Sequence, residues 1–366
     1  MKVIRLHARA DLRLHDEPDP IPGAGEKILQ VKAVGICGSD LRWFTEGGIG
    51  DAQLEHPLVL GHEFAGITAP SPVPRAPCEN RDYLAGTGTV SLKPGLFRWN
   101  RDYESGQRVA VDPAIPCRQC ELCQHGNPNL CERVAFAGHG AQDGALREWM
   151  VWDEKNLFPI PDSLTYADGA MLEPLGVAIH AVDLAHLKAG MTVGVFGCGA
   201  IGLLIVQLAR LSGAATIVAT DKLVHRVEAA SNLGATKAIL AEGGSEIQEV
   251  MAATGGRGVD IAFEVAGEQE AVEMSFAAVL PGGKVILAGI PANDRTSFPA
   301  SVARRKGLTI KMVRRMKHTY PRAIELVSRG LVDVRSLVTH RFPLVKAAEA
   351  FAVAQRREGI KVIIEI

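Results

Sequence analysis

Two hydropathy textures divide the chain. Up to about residue 155, short runs alternate apolar and polar positions, as in KILQVKAV at 27–34 and RVAV at 108–111. Gly and Pro punctuate them, and helical periods are scarce. A period of two predicts half-buried strands, so this part is read as β-rich. From residue 162 the pattern changes. Residues 164–184 read as one helix, and TVGVF at 192–196 as a strand buried on both faces. An apolar helix at 202–211, a strand at 215–220 and a helix at 225–233 follow, and 238–240, 260–264 and 284–288 continue the strands. Strands that alternate with helices imply βαβ units and a parallel sheet. Residues 320–328 read as a helix, and the closing VIIEI reads as a strand returning to the first region.

One stretch breaks the rhythm. Residues 69–105 open with closely spaced prolines and hold Lys93-Pro94-Gly95, a sequence suited to a type II turn. They read as a surface elaboration, with a lid or subunit contact as the alternative, and Cys78 inside them as a surface thiol.

Bulk properties narrow the function. The 366 residues suit about two domains. A net charge of −1, with no long block of one sign, argues against nucleic-acid or membrane-surface partners. The basic run at 303–317 lacks interleaved aromatics and reads as a solvated edge. The alternating N-terminus lacks the apolar core of a signal peptide, and no apolar run approaches the ~20 residues of a membrane span. Seven cysteines, four of them clustered, fit a reducing compartment, and the expectation is a cytoplasmic protein.

Two motifs carry chemistry on their own spacing. Cys117, Cys120, Cys123 and Cys131 form C-x2-C-x2-C-x7-C, and four thiolates with no open position describe a structural zinc site. Gly197-Cys198-Gly199-Ala200-Ile201-Gly202 follows the 192–196 strand and opens an apolar helix, the setting in which G-x-G-x-x-G binds a dinucleotide. Asp221 ends the next strand, where a carboxylate takes the adenosine ribose hydroxyls and repels an extra phosphate, so NAD is expected. A helix N-cap role for Asp221 is compatible with this, and Lys222 works against the preference. Gly197, Gly199, Ala200, Ile201, Gly202, Asp221 and Arg226 are the expected cofactor-binding set.

The remaining candidates are scattered: Cys37 in G-I-C-G-S-D, His62 and Glu63 in L-G-H-E-F-A-G, and Glu173 in M-L-E-P-L-G. Singly, each has an ordinary structural explanation. In this order, around the four-cysteine cluster and the nucleotide motif, they resemble the zinc-dependent medium-chain dehydrogenase/reductase family. Glu-Pro-Leu and LVTHRFPL at 337–344 are most similar to its polyol branch, the sorbitol (L-iditol) dehydrogenase type. The resemblance implies a GroES-like β-rich catalytic domain plus a doubly wound Rossmann sheet. It divides the chain into residues 1–174, 175–305 and 306–366, the last returning to the catalytic domain. It also implies two zinc ions per chain, one structural and one catalytic. The catalytic ion would be held by Cys37, His62 and Glu63, with Glu173 as a fourth ligand or a water holder. Asp40 would orient His62, and Ser39 would take the first proton from the substrate hydroxyl. The implied reaction oxidises a secondary alcohol of a polyol or sugar derivative to a ketone with hydride transfer to NAD, in a homodimer or homotetramer.

Some positions depart from that pattern. Arg42 stands where a relay histidine is frequent, Trp43 replaces a common Tyr, and Met316 follows Arg315 where Arg-Tyr is usual. Arginine cannot shuttle protons near neutral pH. Arg42 and Arg315 could instead hold an anionic substrate, or Arg42 could contact the cofactor pyrophosphate or a nearby acid. Trp43 and Phe136 are further candidates for the substrate wall, His139 has no assigned role, and His180 reads as a core residue. A 2,3-butanediol or other secondary-alcohol dehydrogenase, an L-threonine dehydrogenase and a non-catalytic cofactor-binding protein are the competing readings.

Overall fold

The structure is a computed structural model that describes residues 1–70 and 105–366. Pro72, Pro74 and Pro77, the Lys93-Pro94-Gly95 turn and Cys78 of the 69–105 stretch lie outside the described residues.

The early region builds a mixed sheet. Its strand order is Leu157–Pro159, Arg108–Val111, Glu63–Thr68, Glu26–Gly35, Lys361–Glu365 and Val338–Pro343, with Trp149–Asp153 also paired to Glu26–Gly35. The chain's last strand therefore sits inside its first sheet: Ile363 lies opposite Gly35 and Ile364 opposite Val34. Val31, Val34, Phe64, Val109, Val111 and Ile364 line one apolar core there.

The second sheet is parallel throughout. Its order is Lys237–Leu240, Thr216–Asp221, Thr192–Phe196, Val259–Glu264, Val279–Leu287 and Thr309–Met312. Its earliest strand, Thr192–Phe196, is central, so the winding reverses between it and Val259–Glu264. A crevice opens at such a switch point beyond the carboxyl ends of the strands, and dinucleotides bind there. Val193, Val195, Ile217, Ile261 and Phe263 are buried within the sheet. Burial on both faces is why these strands read as continuous apolar runs.

The expected helix at 164–184 is two helices, Tyr166–Ala170 and Leu172–Ala185. Thr165 caps the first and exchanges hydrogen bonds with Asp168. Pro174 lacks an N–H and is tolerated only in a first turn, so a new helix starts at Leu172 and puts Glu173 in that turn. The 303–317 run is also more than a solvated edge. Lys306 Nζ donates to the Phe276, Ala277 and Val279 carbonyls, and Lys317 Nζ to Asn127 Oδ1 at 2.7 Å. Among the described residues, no helix is long and apolar enough to cross a membrane.

Candidate active site

Among the described residues, two groups of side chains lie close enough to share a metal ion. The first is Cys117, Cys120, Cys123 and Cys131. Cys117 and Cys123 Sγ are 4.0 Å apart, and Cys120 and Cys131 Sγ are 3.9 Å apart. A tetrahedron with Zn–S of about 2.3 Å has an edge of about 3.8 Å, so the spacing fits one zinc ion; a disulfide needs about 2.05 Å. The Gln119 N–H pulls the Cys117 thiol down to about 6. Burial and the neighbouring sulfurs push Cys123 up to about 12. Four thiols in this space need a shared cation before all can ionise.

The second group is Cys37, His62 and Glu63, with one donor atom from each within 4.8 Å of the others. Cys37 caps the helix Gly38–Glu46, and Glu63 opens the strand Glu63–Thr68. Asp40 fixes the arrangement: Oδ2 accepts from Cys37 N at 2.9 Å, and Oδ1 accepts from Gly61 N at 3.2 Å and lies 3.3 Å from His62 Nδ1. His62 Nε2 is left toward the cluster, 3.4 Å from Ser39 Oγ. Burial opposes a charge on His62, but Asp40 and Cys37 outweigh it and push its pKa well above the ordinary value. The same acidic surroundings suit a bound cation, and a mixed S, N and O donor set suits a zinc ion with an exchangeable position.

Glu173 is buried but outside this close set. Burial pushes its carboxyl up to about 8, against the pull of His62. A residue absent from the sequence reading occupies the space beside Glu63. Lys361 Nζ lies 2.7 and 2.6 Å from the two Glu63 oxygens and donates to Ile36 O at 3.1 Å. Lys361 is 5 % exposed and Glu63 is 1 % exposed. The signal for this partner was a single lysine at an inward position of the otherwise apolar last strand.

Around the cluster, the Phe136 ring lies 5.2 Å from His62, with the Arg315 guanidinium 5.4 Å over it. Arg315 Nη2 donates to Asn129 O at 2.7 Å. His139 stands edge-on to both Trp43 and Phe136. Trp43 is 1 % exposed within the core, so it backs the wall rather than facing a ligand. Arg42 meets neither an acid nor the glycine turn. Its Nη1 and Nη2 donate to Pro291 O at 2.6 Å and Ile290 O at 2.5 Å. Those bonds use one N–H of each terminal nitrogen and aim the fork at the 290–291 turn.

The nucleotide crevice is formed tightly. Gly197 has φ +108°, and a Cβ there would come within 2.9 Å of Ala266 N; one at Gly202 would come within 1.9 Å of Gly197 O. Gly199 caps the helix Ala200–Leu211, which places Ala200 and Ile201 in its first turn. Asp221 Oδ2 accepts from Cys198 N at 2.7 Å and Oδ1 from Leu223 N at 2.9 Å, so the carboxylate also braces the turn. Arg226 Nη1 is 3.9 Å from Asp221, and Arg226 Nη2 reaches Gly359 O.

Known proteins match this arrangement. Residues 23–72 and 85–162 match the alcohol dehydrogenase GroES-like domain, and residues 200–329 match the zinc-binding dehydrogenase model. Sorbitol dehydrogenase of Bacillus subtilis is 34 % identical over 100 % of this chain and 97 % of its own length. The chain belongs to the zinc-binding dehydrogenase family. A zinc-binding dehydrogenase of Sinorhizobium meliloti bound to NADP is 29 % identical, with a TM-score of 0.84 over 100 % of this chain and 99 % of that one. A short chain alcohol dehydrogenase of Escherichia coli complexed with NADH has the same TM-score and coverage at 26 % identity. This zinc-binding dehydrogenase is accordingly an oxidoreductase with a GroES-like domain and a Rossmann sheet. Its similar structures hold either dinucleotide, so the choice between NAD and NADP falls to its own residues at Asp221.

Proposed function

We propose that this chain oxidises a secondary alcohol of a neutral polyol to a ketone with NAD. The observation that carries the reading is the Cys37–His62–Glu63 donor set beside the helix Gly38–Glu46, whose Arg42 meets the 290–291 turn of the nucleotide domain. Zinc held by those donors supplies a Lewis acid toward a hydroxyl, and NAD in the crevice supplies the hydride acceptor. The chain's own residues do the rest. Ser39 Oγ, beside His62 Nε2, relays the proton: it accepts that of the substrate hydroxyl as its own passes on toward water. Asp40 keeps the imidazole aimed through Nδ1, as a carboxylate behind a metal-binding histidine does. Glu173, buried outside the close set, would serve as a fourth ligand or hold a water at the metal. Phe136 and Arg315 form the wall beyond the reacting carbon. Asp221 accepts from the ribose, and its charge disfavours the NADP phosphate.

The similarity to sorbitol dehydrogenase supports a polyol over 2,3-butanediol. The neutral-substrate reading is supported by where the candidate arginines donate: Arg42 to the 290–291 carbonyls and Arg315 to Asn129 O. We also read two zinc ions per chain, a homodimer or homotetramer, and a cytoplasmic location, consistent with the free described cysteines. The units 1–174, 175–305 and 306–366 need one correction: Thr309–Met312 completes the parallel sheet, so the second unit runs past 305, and the return to the first sheet is made by Lys361–Glu365.

The test is NADH formation across D-sorbitol, xylitol, gluconate, sorbitol 6-phosphate and 2,3-butanediol. A neutral polyol should lead the others by about tenfold or more in kcat/KM, the worth of one or two lost hydrogen bonds. Preference for the acid or phosphate would overturn the neutral-substrate assignment, and preference for the diol would favour the smaller alcohol.

A further inference from the structure

Arg42 lies in the helix Gly38–Glu46, three residues beyond Ser39 and two beyond Asp40. Positions three apart share one face of a helix, so Ser39 and Arg42 point the same way while Asp40, Trp43 and Phe44 are buried in the core. The guanidinium leaves its own domain. It spans 248 and 249 residues of sequence to grip two successive carbonyls, Ile290 and Pro291, with both terminal nitrogens. These carbonyls follow the strand Val279–Leu287. That strand belongs to the second mononucleotide half of the sheet, beyond the switch point. The Gly-rich half takes the ADP portion, and the other half takes the nicotinamide end.

From the gripped turn, backbone packs on backbone toward the glycine motif. A Cβ at Gly267 would sit 2.4 Å from Ile290 O, and one at Gly197 would sit 2.9 Å from Ala266 N. Glu264 holds the segment between them by accepting from Ala266 N at 2.8 Å and Gly267 N at 2.7 Å. The line Gly197–Ala266–Gly267–Ile290–Arg42 thus runs without a gap from the phosphate turn to the helix that Cys37 caps. Side-chain rearrangement has little room to absorb a shift along it.

We propose that Arg42 is a positioning residue: it fixes the nicotinamide end of the crevice against the helix bearing Cys37, Ser39 and Asp40. It acts through the 290–291 turn and touches no reacting atom. The role rests on the dehydrogenase reading. A planar fork on two carbonyls sets distance and angle together, which the single ammonium of lysine cannot do. Misplacing a hydride acceptor by about 1 Å can cost on the order of a hundredfold in rate.

The experiment compares wild type, Arg42→Met and Arg42→Lys in the zinc-loaded protein. It reads kcat with D-sorbitol, the Kd of NADH, and the Kd of ADP-ribose, which occupies only the ADP half. For Arg42→Met, kcat should fall about 10- to 100-fold. The NADH Kd should rise about tenfold, while the ADP-ribose Kd stays within about twofold. Arg42→Lys should recover only part of the loss. Unchanged kcat and NADH affinity in Arg42→Met, equal weakening of NADH and ADP-ribose, or full recovery by lysine would each overturn the role. A wild-type protein that binds neither NADH nor ADP-ribose would overturn the dehydrogenase reading and this role with it.

Discussion

The two donor clusters are built by opposite means. Cys117, Cys120, Cys123 and Cys131 come from one short segment with two helical turns, Glu121–Gln124, which buries no residue, and Pro128–Leu130, which buries only Asn129. Around them Arg118 and Gly126 adopt φ values of +59° and +76°, and three of the four sulfurs belong to half-buried residues. That lobe has no apolar core of its own, so a bound ion and a few hydrogen bonds set its shape. Cys37, His62 and Glu63 come instead from a helix cap and a strand start, and Lys361 joins from 298 residues beyond Glu63. Sheet pairing and a packed core place them before any metal arrives. In the first case the ion is a structural element; in the second the protein has already formed the place where an ion would work.

The sharpest way to break this contrast is Cys37→Ala. Loss of the thiolate should remove one zinc per chain and lower kcat/KM by about a thousandfold or more, while the melting temperature shifts little. Metal analysis and NADH formation read the two effects, and retained turnover would refute the donor assignment. Lys361→Met comes next. It strands the buried Glu63 carboxylate, and breaking one side of a buried pair costs about 3–5 kcal/mol. The loss in urea titrations should be full in metal-stripped protein and smaller with zinc restored, because the ion then faces the carboxylate. Equal losses in both forms would place Glu63 outside the metal site. Cys123→Ser should have the smallest effect on catalysis, a fall in kcat of about threefold, through Asn129 and its grip on Arg315. Limited proteolysis should nonetheless cut within residues 117–131 far faster. Unaltered cutting would mean that the lobe holds its shape without the ion.

The parallel sheet was legible because its strands are buried on both faces: TVGVF at 192–196 matches an observed strand without adjustment. The four-cysteine and glycine motifs were legible because each is local and its residues contact neighbours in sequence. The break at Met171 was not, since apolar periodicity continues across it and only the Thr165 cap and Pro174 mark the join. The edge strand Thr309–Met312 was lost inside a basic run. The partners of Arg42 and Glu63 were beyond reach for a different reason. A guanidinium that meets two backbone carbonyls leaves no side-chain signature at positions 290 and 291, and nothing local in the last strand ties Lys361 to Glu63. Long-range polar pairs are set by topology, which hydropathy does not encode.

The place of Lys361–Glu365 has a consequence for biosynthesis. Translation proceeds from the N-terminus, so Glu63 is made 298 residues before the lysine that faces it. Until then the Glu26–Gly35 strand also lacks one of its neighbours. All six strands of the parallel sheet lie between those two points of the chain and can pair first. Vectorial synthesis therefore completes the donor pocket after the sheet that would hold the dinucleotide.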